Sequence, residues 1–346
     1  MSDFVAGFVD AVPMPALVIR SDERIAAANE PARALLGAGI GGRHFLTALR
    51  QPQLLDAIEN CLRDRAPRAT DYLGNDGRQD TTFRVSVRPV DLPTGGGVLV
   101  CFEDVTHAHQ LVQMRRDFVA NVSHELRTPL TALIGFIETL KGPARNDPAG
   151  QQRFLNIMEA EAHRMNRLVG DLLSLSRVEA EERVRPTSRL DLAELVLSTI
   201  QSLTPMAENN DVRLAHDLPE GQRVVVAADE DQLRQVLTNL IENGIKYSGK
   251  GSTVTVRLTA PDYIPRLQGQ GVTLVVEDSG AGIDPIHLPR LTERFYRVDS
   301  HRSREMGGTG LGLAIVKHIV NRHRGRLRID SEKEQGTRFT ITLPVG

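Results

Sequence analysis

Apolar residues recur at spacings of three and four through Phe118, Val122, Leu126, Leu130, Leu133, Ile137 and Leu140, predicting a long amphipathic helix with one buried face. A turn at Lys141-Gly142-Pro143-Ala144-Arg145-Asn146-Asp147-Pro148 follows it. A second helical stripe then runs through Phe154, Ile157, Met158, Met165, Leu168, Leu172, Leu175 and Val178. Two antiparallel helices with one stripe each cannot bury both faces alone, so pairing with a second copy into a four-helix bundle is expected.

The flanking regions read differently. Towards the N-terminus, Ala16 to Arg20 and Ile25 to Ala28 read as strands joined by a Ser21-Asp22-Glu23 turn. A short helix from Asn29 to Leu36 stops at Gly37, and another spans Gln51 to Arg63. Strands are expected near Thr82 to Val90 and Val98 to Glu103. Towards the C-terminus, Leu233, Val236, Leu237, Leu240 and Ile241 share one face of a helix within Asp231 to Ser248, with Asn239, Asn243 and Lys246 on the other. Val272 to Val276 reads as a buried strand entering a turn at Gly280 and Gly282. The run Gly307-Gly308-Thr309-Gly310-Leu311-Gly312 opens a further helix.

Candidate chemistry sits at special points of this pattern. At roughly 100° per residue, His124 points away from the apolar stripe and Thr128 stands one turn above it. Glu125 adjoins the histidine. An imidazole facing water beside an acid can accept a phosphoryl group; a buried one cannot. Pro129 removes a donor to the Glu125 carbonyl and crowds it, which predicts a bend just after the histidine. Taken alone, a lone exposed histidine more often means only solvated surface. The Asn239 and Asn243 amides suit Mg²⁺ and the Lys246 amine suits phosphate, although an ordinary amphipathic helix explains that segment equally well. Asp278 can accept from the exocyclic amine of an adenine, but D-x-G-x-G is often just a loop. The glycine run lets backbone approach a polyphosphate at a helix N-terminus, with an interdomain linker as the plainer alternative. It is neither a dinucleotide fingerprint nor a Gly-Lys-Ser/Thr phosphate loop.

Order and spacing add what no segment carries alone. The box around His124, the Asn239–Asn243 box, the Asp278–Ile283 turn, Glu293 to Asp299, the Gly307–His318 loop and the closing Gly336 to Pro344 resemble the catalytic half of bacterial sensor histidine kinases. The resemblance covers about residues 107 to 346 and is strongest to the phosphate-regulon sensor kinases, in a short soluble form. It implies a multidomain α+β fold: a two-helix dimerisation hairpin, then an α/β sandwich of the histidine kinase/gyrase/chaperone ATPase type.

By that resemblance His124 is the phosphoacceptor. Glu125 hydrogen-bonds the imidazole and takes up its proton, Arg127 steadies phosphate charge, and Thr128 orients a water for dephosphorylating the partner. The implied ligands are ATP and Mg²⁺, with Asn243 on the metal and Asn239 close to the metal and phosphates. Lys246 and Tyr247 hold the triphosphate; Asp278 reads adenine in a pocket shaped by Gly280 and Gly282 and supported by Thr337. A mobile lid from Phe295 to Met306, with Arg294 at its root, closes together with Gly308, Thr309, Gly310, Leu311 and Gly312; a solvated surface loop is the alternative. Arg183 to Ser188, with Pro186, reads as the hinge. One departure is Gly244, where the family usually has alanine; it costs about 1 kcal/mol of helix propensity and softens the helix near Lys246.

The mixed strands and short helices ahead of the hairpin look like a PAS-type sensor domain. Such a fold can hold a ligand, a haem or a flavin, and a ligand-free dimerisation and relay module is the favoured reading. The expected division is 1–106 for the sensor, 107–182 for the hairpin and 187–346 for the ATP-binding domain.

Composition narrows this further. The 346 residues carry a formal net charge of −2, giving no general pull towards nucleic acid or anionic membrane. Aromatics are only 4% and tryptophan is absent, so the cores rest on aliphatic residues. Cys61 and Cys101 lack metal-like spacing and read as reduced thiols. No stretch approaches the roughly 18 apolar residues of a membrane span, and no secretion signal opens the chain. If Met1 is the natural start, a cytoplasmic protein sensing from inside the cell is expected, compatible with peripheral association with a membrane sensor or transporter complex.

The expected function is ATP-dependent phosphorylation of His124, transfer to an aspartate of a response-regulator receiver domain, and dephosphorylation of that partner, in a homodimer. The alternatives are a non-enzymatic ATP-binding regulator and a gyrase- or chaperone-like ATPase. The latter needs a glutamate base where this chain has Asn239.

Overall fold

The computed structural model describes residues 2–75, 80–93, 95–219, 223–299 and 308–345. The chain divides into two compact units, 1–120 and 121–346.

The first unit is built on a five-stranded antiparallel sheet. In chain order its elements are α1 (Ser2–Asp10), β1 (Ala16–Arg20), β2 (Ile25–Ala28), α2 (Glu30–Leu36), α3 (Phe45–Ala48), α4 (Pro52–Asp64), β3 (Arg68–Asn75), β4 (Asp80–Leu92) and β5 (Gly95–Asp104). The strands lie in the order β2-β1-β5-β4-β3. Period-two alternation puts Leu17, Ile19, Val85, Val87, Val98, Val100 and Phe102 on one face, where Phe45, Leu54 and Ile58 of the helices cover them. On the other face Val9 of α1 packs against Ala16, Val18 and Ala27.

Asn29 fixes the join between these layers. Its Oδ1 accepts from Ala32 N, capping α2, and from Ala16 N, both at 3.0 Å, while its amide donates to Val12 O and Met14 O. That uses the whole capacity of a buried amide, so it sits inside without leaving an unmatched group.

The anticipated strands and helices of this unit all occur, and α1, α3 and β3 stand in addition to them. β3 (RATDYLGN) carries few apolar residues and is held by its ladder to β4. α3 is a single turn, too short for any periodicity to register. Both cysteines are free thiols.

Helix α5 (Thr106–Lys141) runs on into the second unit and contains Pro129. There Thr128 Oγ1 donates to His124 O at 3.1 Å, binding the turn that precedes the proline. Helix α6 (Pro148–Glu181) starts with Asp147 as N-cap, its Oδ1 accepting from Gly150 N at 3.1 Å, and with proline in its first turn. The rings of Phe136 and Phe154 meet near the hairpin's turn end, 5.5 Å apart.

The rest of the unit is a two-layer α/β sandwich. It comprises β6 (Arg189–Asp191), α7 (Leu192–Asn209), β7 (Arg213–Asp217), β8 (Val225–Ala227), α8 (Glu230–Tyr247), β9 (Thr253–Leu258), β10 (Asp262–Ile264), β11 (Gly269–Asp278), α9 (Gly312–Arg322), β12 (Arg326–Glu332) and β13 (Gly336–Pro344). The main sheet has the order β12-β13-β11-β9-β7, with β7 parallel to β9 and the other neighbours antiparallel. On β11 the buried positions are Val272, Leu274 and Val276, and the residues between them face outward. The strand expected at Val272 to Val276 is present, with its alternate residues in the core. Helices α7, α8 and α9 form the covering layer.

At the end of α9, Arg322 ties this sandwich to the rest of the unit, and His323 bonds within the sandwich. Arg322, 7% exposed, donates to Val184 O and Asp229 Oδ2 and pairs with Glu181 at 2.9 Å. His323 Nε2 accepts from Asp229 N at 3.1 Å, and its Nδ1 stands 2.8 Å from Ile319 O. The ring is therefore neutral with its proton on Nδ1, and desolvation holds its pKa below the ordinary imidazole value.

Candidate active site

The hairpin contributes His124, exposed on the outer side of α5, with Arg127 and Thr128 exposed beside it. Glu125 turns the other way. Its Oε2 accepts from Arg164 of α6 at 2.9 Å and from Arg297 of the sandwich at 3.1 Å. Consecutive helical residues do not face one another, and these two arginines define where the carboxylate points in this conformation. All three side chains are at most 15% exposed, so the pairs are well shielded from water.

The sandwich contributes three groups of residues. On α8, Asp229 caps the first turn and Leu233, Val236, Leu237, Leu240, Gly244 and Ile245 are buried against the sheet. That burial fixes the helix so that Asn239, Asn243 and Lys246 look away from it, half-buried, with Tyr247 more open. The Asn239 amide donates to Gly312 O at 3.3 Å, joining α8 to the glycine run. Lys246 Nζ lies 2.5 Å from Glu242. Gly244 has a packing reason: a Cβ there would stand 2.8 Å from Val254 Cγ2 and 3.1 Å from Cγ1. The missing methyl lets α8 approach β9, so the position is a close contact as well as a break in helix propensity.

The second group surrounds Asp278, the last residue of β11. The ladder sets it opposite Val254 on one side and Thr337 on the other, and Ser331 lies opposite Thr337. Asp278 Oδ1 accepts from Gly280 N at 2.9 Å. Ser331 Oγ and Thr337 Oγ1 are 3.0 Å apart, and Ser331 also accepts from Ile283 N, holding the Gly280–Gly282 turn against β12. Desolvation raises the Asp278 pKa against the lowering effect of the Gly280 and Thr337 amides. A half-buried carboxylate at the mouth of a turn suits a neutral donor such as an amine N–H.

The third group is the glycine run. Gly308, Thr309, Gly310 and Gly312 are half-buried and Leu311 is fully buried as the N-cap of α9. Gly310 has φ +73° and its carbonyl accepts from Phe295 N at 2.8 Å. A Cβ there would lie 2.9 Å from Phe295 Cα, so only glycine allows the run to meet the Arg294–Phe295 segment. Residues 300–307, which include most of the expected lid and Gly307, lie outside the described residues.

Contacts within the unit bring hairpin and sandwich residues together. Besides Arg297 on Glu125, Arg294 donates to Glu179 at 2.6 Å and Thr309 Oγ1 donates to Asp171 at 2.6 Å. Arg164, Asp171 and Ser331 were not anticipated. Asp171 had a visible signal, being a charge on the apolar face of α6 between Leu168 and Leu175; Arg164 and Ser331 had none, because only tertiary pairing gives them partners. Among the described residues no group of three or more His, Cys, Asp and Glu is placed to hold a metal ion.

Three family models match the chain: the PAS fold over residues 9–110, the His Kinase A (phospho-acceptor) domain over 114–181, and the histidine kinase-, DNA gyrase B- and HSP90-like ATPase over 228–346. The sensor-like histidine kinase SenX3 of Mycolicibacterium smegmatis is 36% identical over 272 residues, covering 79% of this chain and 68% of SenX3. The chain belongs to the sensor histidine kinases. The phosphate regulon sensor protein PhoR of Pseudomonas aeruginosa is 43% identical over 242 residues, 70% of this chain and 53% of PhoR. WalK of Bacillus subtilis is 35% identical over 323 residues, 91% of this chain and 51% of WalK. The chain thus spans about half the length of these last two relatives. In fold it is similar to the crystallised histidine kinase ThkA in complex with the response regulator TrrA, with TM-score 0.53, 21% identity and 98% of each chain covered.

Within this family the C-terminal region is of the ATP-binding type. The residues present fit an adenine nucleotide: a half-buried Asp278 flanked by Thr337, and the Lys246 amine on the same helix face as two amides. Among the described residues no helix is long and apolar enough to cross a membrane.

Proposed function

We propose that the chain is an ATP-dependent protein-histidine kinase that phosphorylates His124 and passes the group to an aspartate of a response regulator. The carrying observation is that Arg297 of the sandwich reaches Glu125, the residue next to the exposed His124. A single side chain spans from the nucleotide side of the unit to the neighbour of the phosphoacceptor.

In this reading residues 1–106 are the sensor, 107–182 the hairpin and 187–346 the ATP-binding domain, with Arg183 to Ser188 as hinge. Asp278 would hold adenine in a pocket shaped by Gly280 and Gly282 and supported by Thr337. Lys246, Tyr247, Arg294, Phe295 and the run from Gly308 to Gly312 hold the phosphates, with Asn239 and Asn243 on Mg²⁺. The bound nucleotide and metal supply a γ-phosphoryl group with its charge neutralised. An unprotonated His124 ring nitrogen forms the N–P bond as the bond to the ADP oxygen breaks, and the proton on the other ring nitrogen is taken by Glu125. Glu125 must first exchange its arginine partners for the imidazole.

Exposed apolar residues along the hairpin, among them Leu130, Ile134, Leu155 and Leu173, support pairing with a second copy. Thr128 orients water for removing phosphate from the regulator, and the likeness to PhoR supports a role in phosphate-starvation signalling. Incubation with γ-labelled ATP tests the reading. Acid-labile, base-stable label on the wild type, lost in His124→Ala and in Asn243→Ala, is expected. Release of free phosphate with no label on protein would overturn it in favour of an ATPase.

A further inference from the structure

Leu168, Leu175 and Val178 of α6 are buried, and Asp171 falls on that same face. An apolar residue there would bury more cheaply than a carboxylate, so the charge requires a partner. It has one on the other side of the interface. Thr309 Oγ1, in the glycine run, donates to Asp171 Oδ2 at 2.6 Å, a short charge-assisted bond. The charges acting on Asp171 include Glu242 and Lys246 of α8, and its pKa is raised chiefly by desolvation.

The carboxylate therefore sits at the glycine run and within electrostatic reach of the lysine, the two features that suit this region to phosphate. We infer that Asp171 belongs to the nucleotide site although it lies in the hairpin: its anionic carboxylate opposes the charge of a triphosphate and holds the Thr309 hydroxyl that the phosphates need. This rests on the nucleotide reading above and adds a determinant of affinity outside the ATP-binding fold. Two consequences follow from electrostatics. The opposition grows with the number of phosphates, so adenosine escapes it and ATP meets it most strongly. By reciprocity, whatever Asp171 subtracts from ATP affinity, ATP subtracts from the hold of α6 on the glycine run, so nucleotide binding itself loosens that contact.

The test measures binding of adenosine, ADP and ATP, without metal, to the full chain by titration calorimetry. Asp171→Asn keeps an oxygen acceptor for Thr309 and removes the charge; Asp171→Glu keeps the charge. Expected for Asp171→Asn are unchanged adenosine affinity, and ATP bound about tenfold tighter with a smaller gain for ADP. Asp171→Glu should return ATP affinity towards wild type. Equal affinities for ATP in wild type and Asp171→Asn, or an equal gain for adenosine and ATP, would overturn the inference while leaving the nucleotide reading intact. Failure of the wild type to bind any of the three would remove both.

Discussion

On α8, Leu233, Val236, Leu237, Leu240 and Ile241 are all 2% exposed or less, whereas Leu130 and Ile137 on α5 stand 49 and 39% exposed. Both stripes have the same helical period. The sheet beneath α8 gives its stripe a complete cover. The hairpin offers α5 the matching stripe of α6, whose own Ile157 stays 38% exposed. An equal sequence signal thus ends in a closed core in one place and an unfinished one in the other. The sandwich is stable by its own packing; the hairpin calls for a second surface.

That contrast can be broken most forcefully from the α8 side. Leu240→Ala should cost about 2–5 kcal/mol of sandwich stability, read as a lower calorimetric midpoint. Ile134→Asp should leave that midpoint in place and shift the chain from dimer to monomer in light scattering. If instead Ile134→Asp unfolds the sandwich, the two regions are not separable in this way.

Smaller changes sharpen the comparison. Arg322→Ala removes a buried cation from Asp229, Glu181 and Val184 O. The carboxylates are 33% and 44% exposed, so roughly 2 kcal/mol is expected, less than for a fully buried pair. His323 gives the sandwich a pH dependence. Its folded-state pKa is depressed below the ordinary 6.5, so the unfolded chain takes the proton first as pH falls. Its contribution is therefore complete above about pH 6.5 and is lost below it, with a slope of at most about 1.4 kcal/mol per pH unit. Denaturant unfolding at several pH values should show this slope and show it absent in His323→Gln. Gly244→Ala gains about 1 kcal/mol of helix propensity but drives a methyl into Val254, an overpacking cost of about 1–3 kcal/mol. A net loss of about 1 kcal/mol is expected, and a gain would show that β9 yields.

What the sequence revealed follows the same physics. Stripes and caps were legible because they are local: the α8 face, the Asn29 and Gly37 limits of α2, and the turn before Pro148 all rest on neighbours within a few residues. Glycines and Asp278 were legible through their order along the chain. Partners across the fold were not. Nothing near Glu125 announces Arg164 or Arg297, and nothing in RIDSE announces that Ser331 will face Thr337. Gly244 was readable as a departure, while its reason, Val254, lies on a strand.

In the proposed reaction a ring nitrogen of His124 accepts the phosphoryl group. Peptide mapping by mass spectrometry, on the full chain treated with ATP and Mg²⁺ and kept alkaline throughout, tests it most directly. The account predicts one added phosphoryl group on the peptide carrying His124, its fragment ions placing it on the imidazole. Phosphate found instead on a serine, threonine or another histidine, with His124 unmodified, would contradict it.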